Sequence, residues 1–222
     1  MPAKNSSKEY VKNGYYHLYN RGVEKRNIFL DQQDYNVFLS YLNNYLSVKN
    51  DEELFKIIQN PDSSLSEKDK ARKLLRLNNF SNNLLLLAYG LMQNHFHFLV
   101  KQLETYAIDS FMNSIGTRYT MYFNRKYNRI GSLYQGVYKA VLVNSDEQLL
   151  HLSRYIHDQA IQKGQPSSYP EYMLQKKTDW VYTEEILSFF SKQNPNLSYQ
   201  FFVNQNKENE LIYRVIIEDE IA

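Results

Sequence analysis

His95 and His97 stand two residues apart in the run Leu91-Met92-Gln93-Asn94-His95-Phe96-His97-Phe98-Leu99-Val100. On an extended strand, residues i and i+2 leave the same face, so the two imidazoles can converge on one ion. Imidazole suits divalent ions such as Mn, Zn, Fe and Ni, and two rings leave coordination positions to be filled from elsewhere. Downstream, Tyr155 and Gln159 are four residues apart and on a helix share a face. A phenol oxygen can attack a phosphodiester and store the bond as a phosphotyrosine, while a metal polarises the scissile phosphate. The amide oxygen of Gln159 could complete the metal site. Each piece alone admits a plainer reading: a strand with two partly exposed histidines, and one core aromatic among 20 tyrosines.

The elements that must position these groups are legible from hydrophobic spacing. Residues 15–20 alternate aromatic and polar side chains before Gly22 and read as a first strand. A helix follows, capped by Asp31 and carrying Tyr35, Phe38, Leu39, Leu42 and Leu46 at three- and four-residue intervals. Residues 48–83 are polar, broken at Asn60-Pro61-Asp62, with a short charged helix around residues 66–77; the segment reads as an insertion. Two apolar runs, 84–92 and 96–101, read as buried central strands joined by a tight turn at Gln93-Asn94. A helix over 106–127 presents Phe111, Ile115, Tyr119 and Tyr122 on one side, and a fourth strand is expected over 138–143. Ser145 and Asp146 open a last core helix containing Leu149, Leu152 and Ile156 and ending near Gly164. This order predicts an α+β fold: a ferredoxin-like antiparallel sheet with helices on one face. Residues 10–165 form the expected catalytic unit. A mainly helical C-terminal extension over 166–222 would hold a turn at Ser168-Tyr169-Pro170, helices over 183–193 and 198–204, and an apolar closing element at 211–217.

The 222 residues are 43% hydrophobic and 23% charged, ordinary values for a globular protein. The absence of cysteine excludes disulfides, thiolate metal sites and a thiol nucleophile. The first ten residues are polar, and no segment approaches the roughly 20 apolar residues of a membrane span, so a cytoplasmic protein is expected. The net charge of +2 hides an uneven distribution: Arg118, Arg125, Lys126, Arg129 and Lys139 fall in a stretch without Asp or Glu. Interleaved with them are Tyr119, Tyr122, Phe123, Tyr127, Tyr134 and Tyr138. Such a mixture suits a groove for single-stranded nucleic acid, and it equally suits a helix whose aromatics are core. With Arg21, these cations would hold phosphates without reading bases. His151 reads as a capping or packing residue, His157 faces elsewhere, and His17 reads as structural.

Three motifs in order carry a family resemblance. The run from Leu91 to Val100 quoted above and Arg154-Tyr155-Ile156-His157-Asp158-Gln159 resemble the two hallmarks of REP-associated tyrosine transposases, within the insertion-sequence 200/605 type. Between them, Tyr119-Thr120-Met121-Tyr122-Phe123-Asn124-Arg125-Lys126-Tyr127 and Gly131-Ser132-Leu133-Tyr134-Gln135-Gly136-Val137-Tyr138-Lys139-Ala140 are similar to the family's intervening signature. The resemblance spans residues 15–164. It implies an HUH nuclease fold, Mg2+ or Mn2+ bound by His95 and His97, Gln159 at the third polar ligand, and Tyr155 as nucleophile. It further implies single-stranded or hairpin DNA as partner, and cleavage to a 5′-phosphotyrosine and a free 3′-hydroxyl that can reverse the reaction. The chain departs from the family at Phe96, where an aliphatic residue is usual, at Gln93, where Pro is usual, and at Gln159-Ala160 in place of Asn-Pro. Two other readings stay open on sequence: a catalytically silent nucleic-acid-binding module on the same fold, and a metal-dependent hydrolase using water. A monomer and a homodimer, with Tyr155 acting in its own or a partner's site, are equally compatible with it.

Overall fold

The computed structural model describes residues 10–205; the closing element expected at 211–217 lies outside the described residues. The elements run β1 (Tyr15–Arg21), α1 (Gln32–Leu46), α2 (Asp51–Gln59), α3 (Leu65–Leu75), β2 (Leu84–Met92), β3 (His95–Gln102), α4 (Ala107–Lys126), β4 (Lys139–Val143) and α5 (Asp146–Lys163). Short helices α6 (Tyr169–Tyr172), α7 (Glu184–Leu187) and α8 (Tyr199–Asn204) follow. The strands form one antiparallel sheet in the order β2-β3-β1-β4, the ferredoxin-like arrangement expected.

Local chemistry sets the boundaries. The Asp31 carboxylate accepts from the backbone N–H of Asp34 at the start of α1, and Ser145 accepts from that of Gln148 at the start of α5. Gly164 closes α5 at φ 60°, a left-handed conformation that glycine adopts without a Cβ clash. Gln93 and Asn94 form the turn between β2 and β3, which sets Met92 opposite His95 and Gly90 opposite His97. A bulge between Leu86 and Ala88 shifts the alternation of β2, so that Leu84 and Leu86 before it and Tyr89 and Leu91 after it enter the same core.

The sheet is covered on both faces, which corrects the expectation of helices on one. Tyr16, Leu18, Phe96, Phe98 and Val100 pack against Phe38 and Leu42 of α1 and Phe111, Ile115 and Tyr119 of α4. On the opposite face, Leu87, Ala88 and Leu99 pack against Leu149, Leu152 and Ile156 of α5 and against Tyr172, Ile186, Tyr199 and Val203. The physical reason is visible in β2, a nearly unbroken apolar run; a strand open to water on one side alternates instead.

Residues 166–205 complete the second layer. The carbonyl of Pro166 accepts from the N–H of Leu91, the Ser168 N–H donates to the Tyr89 carbonyl, and the Tyr172 hydroxyl donates to the Leu87 carbonyl. The helix expected over 183–193 is only the single turn α7, and the turn expected at Ser168-Tyr169-Pro170 opens α6. The polar stretch 48–83 holds two helices rather than one: α3, with a capping box between Ser64 and Glu67, and α2, capped by Asn50. Among the described residues, no helix is long and apolar enough to cross a membrane.

Candidate active site

Odd-numbered residues of β3 face α5, which brings His95 and His97 under Tyr155 and Gln159. The amide nitrogen of Gln159 donates to the Tyr155 hydroxyl over 2.8 Å, and its oxygen lies 3.2 Å from His95 Nε2. The His97 ring stands edge-on to His95 with centroids 4.9 Å apart, and 5.5 Å from the ring of Tyr155. Four side chains from two elements thus form one cluster.

Burial keeps these imidazoles neutral. It lowers His95 to about 4, with the positive charges of Lys163 and Arg21 acting in the same direction. Burial likewise pushes His97 well below the ordinary imidazole range, assisted by His17, His95 and Lys163. A neutral ring has one N–H and one lone pair. His95 Nδ1 lies 2.6 Å from Asn94 Oδ1, and the Asn94 amide nitrogen donates to the Lys25 carbonyl, so Asn94 presents its oxygen and takes the His95 proton. The lone pair on His95 Nε2 then faces the Gln159 oxygen, whose orientation the bond to Tyr155 holds. Two electron-pair donors facing one another across 3.2 Å repel unless a cation lies between or beside them. The donor set therefore fits a divalent ion, with His97 adding a second imidazole. Among the described residues, no three His, Cys, Asp or Glu side chains are grouped to hold a metal; the third donor would be the Gln159 amide oxygen.

His17, read from sequence as structural, lies inside the cluster, with Nε2 2.9 Å from His97 Nδ1. Nothing local marks it, because the contact depends on β1 pairing beside β3. Lys163 was also missed, although it follows Gln159 by the same four-residue step that links Gln159 to Tyr155.

The basic residues divide. Arg21 pairs with His95 across β1 and β3, and Lys139 pairs with Tyr19 across β1 and β4, so both stand on the site's face. Arg125 is exposed on α4, and Arg129 donates to Asn124 and to the Ser132 carbonyl beyond that helix. Arg118 and Lys126 are engaged with neighbouring side chains. The Arg118 guanidinium lies 3.8 Å from the centre of the Tyr41 ring, and Lys126 bonds Asp31 and the fully buried Asp34, both at 2.7 Å. The interleaved aromatics are core: Tyr119, Phe123, Tyr134 and Tyr138 are buried, while Tyr122 and Tyr127 donate to Asp34. His151 lies beside Arg154 and Phe202, and His157 bonds Tyr199 and Ser168, both away from the cluster.

Residues 63–159 match the model of the IS200-like transposase family, a span that includes both histidines, Tyr155 and Gln159. No curated protein sequence matches the chain. Among solved structures it is similar to a REP-associated tyrosine transposase bound to a REP hairpin, at 12% identity and a TM-score of 0.49, over 81% of this chain and 92% of the other. It is also similar to a candidate transposase from Deinococcus radiodurans R1, at 17% identity and a TM-score of 0.29, over 70% of this chain and 97% of the other.

Proposed function

We propose, for a chain whose residues 63–159 match the IS200-like transposase family model, that it is a metal-dependent endonuclease and strand transferase for single-stranded or hairpin DNA, of the REP-associated tyrosine type. The observation that carries this reading is the unbroken line from the Tyr155 hydroxyl through the Gln159 amide to His95, with His97 beside it.

His95, His97 and Gln159 would hold Mg2+ or Mn2+, which when bound neutralises charge developing on the scissile phosphate. Tyr155 supplies the nucleophile. Its oxygen attacks phosphorus and loses the phenol proton; the bond from phosphorus to the 3′-oxygen breaks, and that oxygen takes up a proton as the 3′-hydroxyl. The product is a 5′-phosphotyrosine, so the bond is stored rather than hydrolysed, and a 3′-hydroxyl attacking it restores a phosphodiester. The Gln159 N–H aims a lone pair of the phenol oxygen and stabilises negative charge there as the proton leaves. Arg21, Arg125, Arg129, Lys139 and the newly placed Lys163 hold backbone phosphates, which sets register without base selection. Tyr155 would act in its own subunit, because the His97 ring of the same chain lies 5.5 Å from its own.

The test is incubation with labelled hairpin DNA and Mn2+, followed by denaturing electrophoresis. The native chain forms a covalent protein–DNA adduct, and Tyr155→Phe and His97→Ala form none while still binding DNA. Cleavage by Tyr155→Phe without an adduct would instead mean a water-using hydrolase, and binding without cleavage by the native chain a silent module.

A further inference from the structure

His17 has no part in the chemistry described so far, yet it is more completely enclosed than His95. It is 1% exposed and His97 0% exposed, on neighbouring strands, with the two rings stacked at 5.1 Å and 24°. A single hydrogen bond joins His17 Nε2 and His97 Nδ1 at 2.9 Å. A hydrogen bond between two ring nitrogens needs one N–H and one lone pair, so one proton lies between His17 Nε2 and His97 Nδ1. The bond therefore has one of two directions. We propose that His97 Nδ1–H donates to His17 Nε2, making His17 the positioning residue that holds His97 in the tautomer whose Nε2 lone pair binds the divalent ion.

The inference rests on the metal reading above and concerns how one ligand is prepared. A neutral imidazole that coordinates through one nitrogen carries its proton on the other, and an acceptor for that proton orients the ring and raises its basicity. Carboxylates and backbone carbonyls commonly fill this place. An imidazole fills it without adding negative charge next to a scissile phosphate, which suits a site that must admit a polyanion. The contrast with His157 separates this role from simple packing. His157 is also enclosed, and both its nitrogens are satisfied, by the hydroxyls of Tyr199 and Ser168. The remaining His17 nitrogen, Nδ1, has no hydrogen-bond partner among the described residues. His17 is thus buried with one polar contact, and that contact is to the ligand.

Two measurements on the full chain without DNA decide the matter. Long-range 1H–15N spectra of the metal-free native protein report the His97 tautomer directly, and Nδ1 is expected to carry the proton. Titration with Mn2+ followed by electron paramagnetic resonance compares the native chain with His17→Phe, His17→Asn and His17→Gln. Phe has no acceptor and Asn places its amide nearer the Nδ1 position, so both are expected to weaken Mn2+ binding about 10- to 100-fold. Gln sets an amide oxygen near the Nε2 position and should restore most of the affinity. A proton on His97 Nε2, or His17→Phe binding Mn2+ as tightly as the native chain, overturns the inference. Should that variant not fold, the native tautomer still decides. A native chain that takes up no Mn2+ overturns the metal reading, and this one with it, whereas native uptake unaffected by His17→Phe sinks this inference alone.

Discussion

Acid should loosen this molecule before its carboxylates titrate. Burial holds His17 at about 3, His95 at about 4 and His157 at about 3, against 6.5 for an ordinary imidazole. In the unfolded chain each ring binds a proton near pH 6.5, and in the folded chain only far lower. Between those values the unfolded state holds more protons, so the stability from these rings is complete above about pH 6.5 and is lost as pH falls toward 3 to 4. Each ring contributes a slope of about 1.4 kcal/mol per pH unit within that window. Urea unfolding followed from pH 8 to pH 5 is expected to be nearly flat at first and then fall steeply; a flat profile to pH 5 would mean that the rings are not buried neutral. At this scale the sequence was partly readable. Tyr155 and Gln159 meet because helical spacing is local, and His95 and His97 share a face because strand alternation is local. His17 reaches His97 only through strand pairing across 80 residues, for which no local pattern exists.

The placement of α5 governs whether Tyr155 lies over the histidines, and Gly90 sets how close that helix comes. A Cβ at Gly90 would stand 3.0 Å from the Ile156 carbonyl oxygen and 3.2 Å from its Cγ2, and Gly90 is the β2 partner of His97. Gly90→Ala should lift α5 by a few tenths of an ångström exactly where it carries the nucleophile. Misplacement by 1 Å can lower a rate by about 100-fold, so a loss of about tenfold in adduct formation is expected, with DNA affinity kept. Single-turnover kinetics beside a binding assay separate the two; equal losses in both would place the effect outside the helix. The opposite layer shows how charge counting fails at this scale. Lys126 looks like a free cation on α4, but Asp31 and Asp34 at the start of α1 hold it, and with Tyr122 and Tyr127 they tie the two helices together. Burial raises the Asp34 carboxyl, while Lys126, the Leu30 N–H and the two tyrosines more than offset this and leave it lowered. Such a carboxylate is a tether between helices, and replacing it would take the acceptor from the Tyr122 hydroxyl and leave Lys126 with Asp31.

Across the whole molecule, one chain supplies both histidines, the tyrosine and the amide. Mixing Tyr155→Phe with His97→Ala should therefore fail to restore adduct formation, because neither chain holds a complete site; recovery in the mixture would show that tyrosines are exchanged between subunits. Residues 166–205 pack onto the sheet, since Tyr172, Ile186, Tyr199 and Val203 close the core beneath the helix that bears Tyr155. His157, on that helix, joins Ser168 and Tyr199, and Tyr199 in turn donates to Ser153. What the sequence by itself determined is the order of the sheet strands with α1, α4 and α5, and the caps of α1 and α5, because periodicity and capping act within a few residues along the chain; the four residues proposed for the site came from motif spacing together with the family resemblance. Only the tertiary structure decided that the sheet has two covered faces, that His17 touches His97, that Lys163 and Arg21 flank the site, and that Arg118 and Lys126 are engaged with neighbouring side chains. Those outcomes depend on which residues meet across strand pairs and layers, and burial and pairing over such separations follow from the fold as a whole.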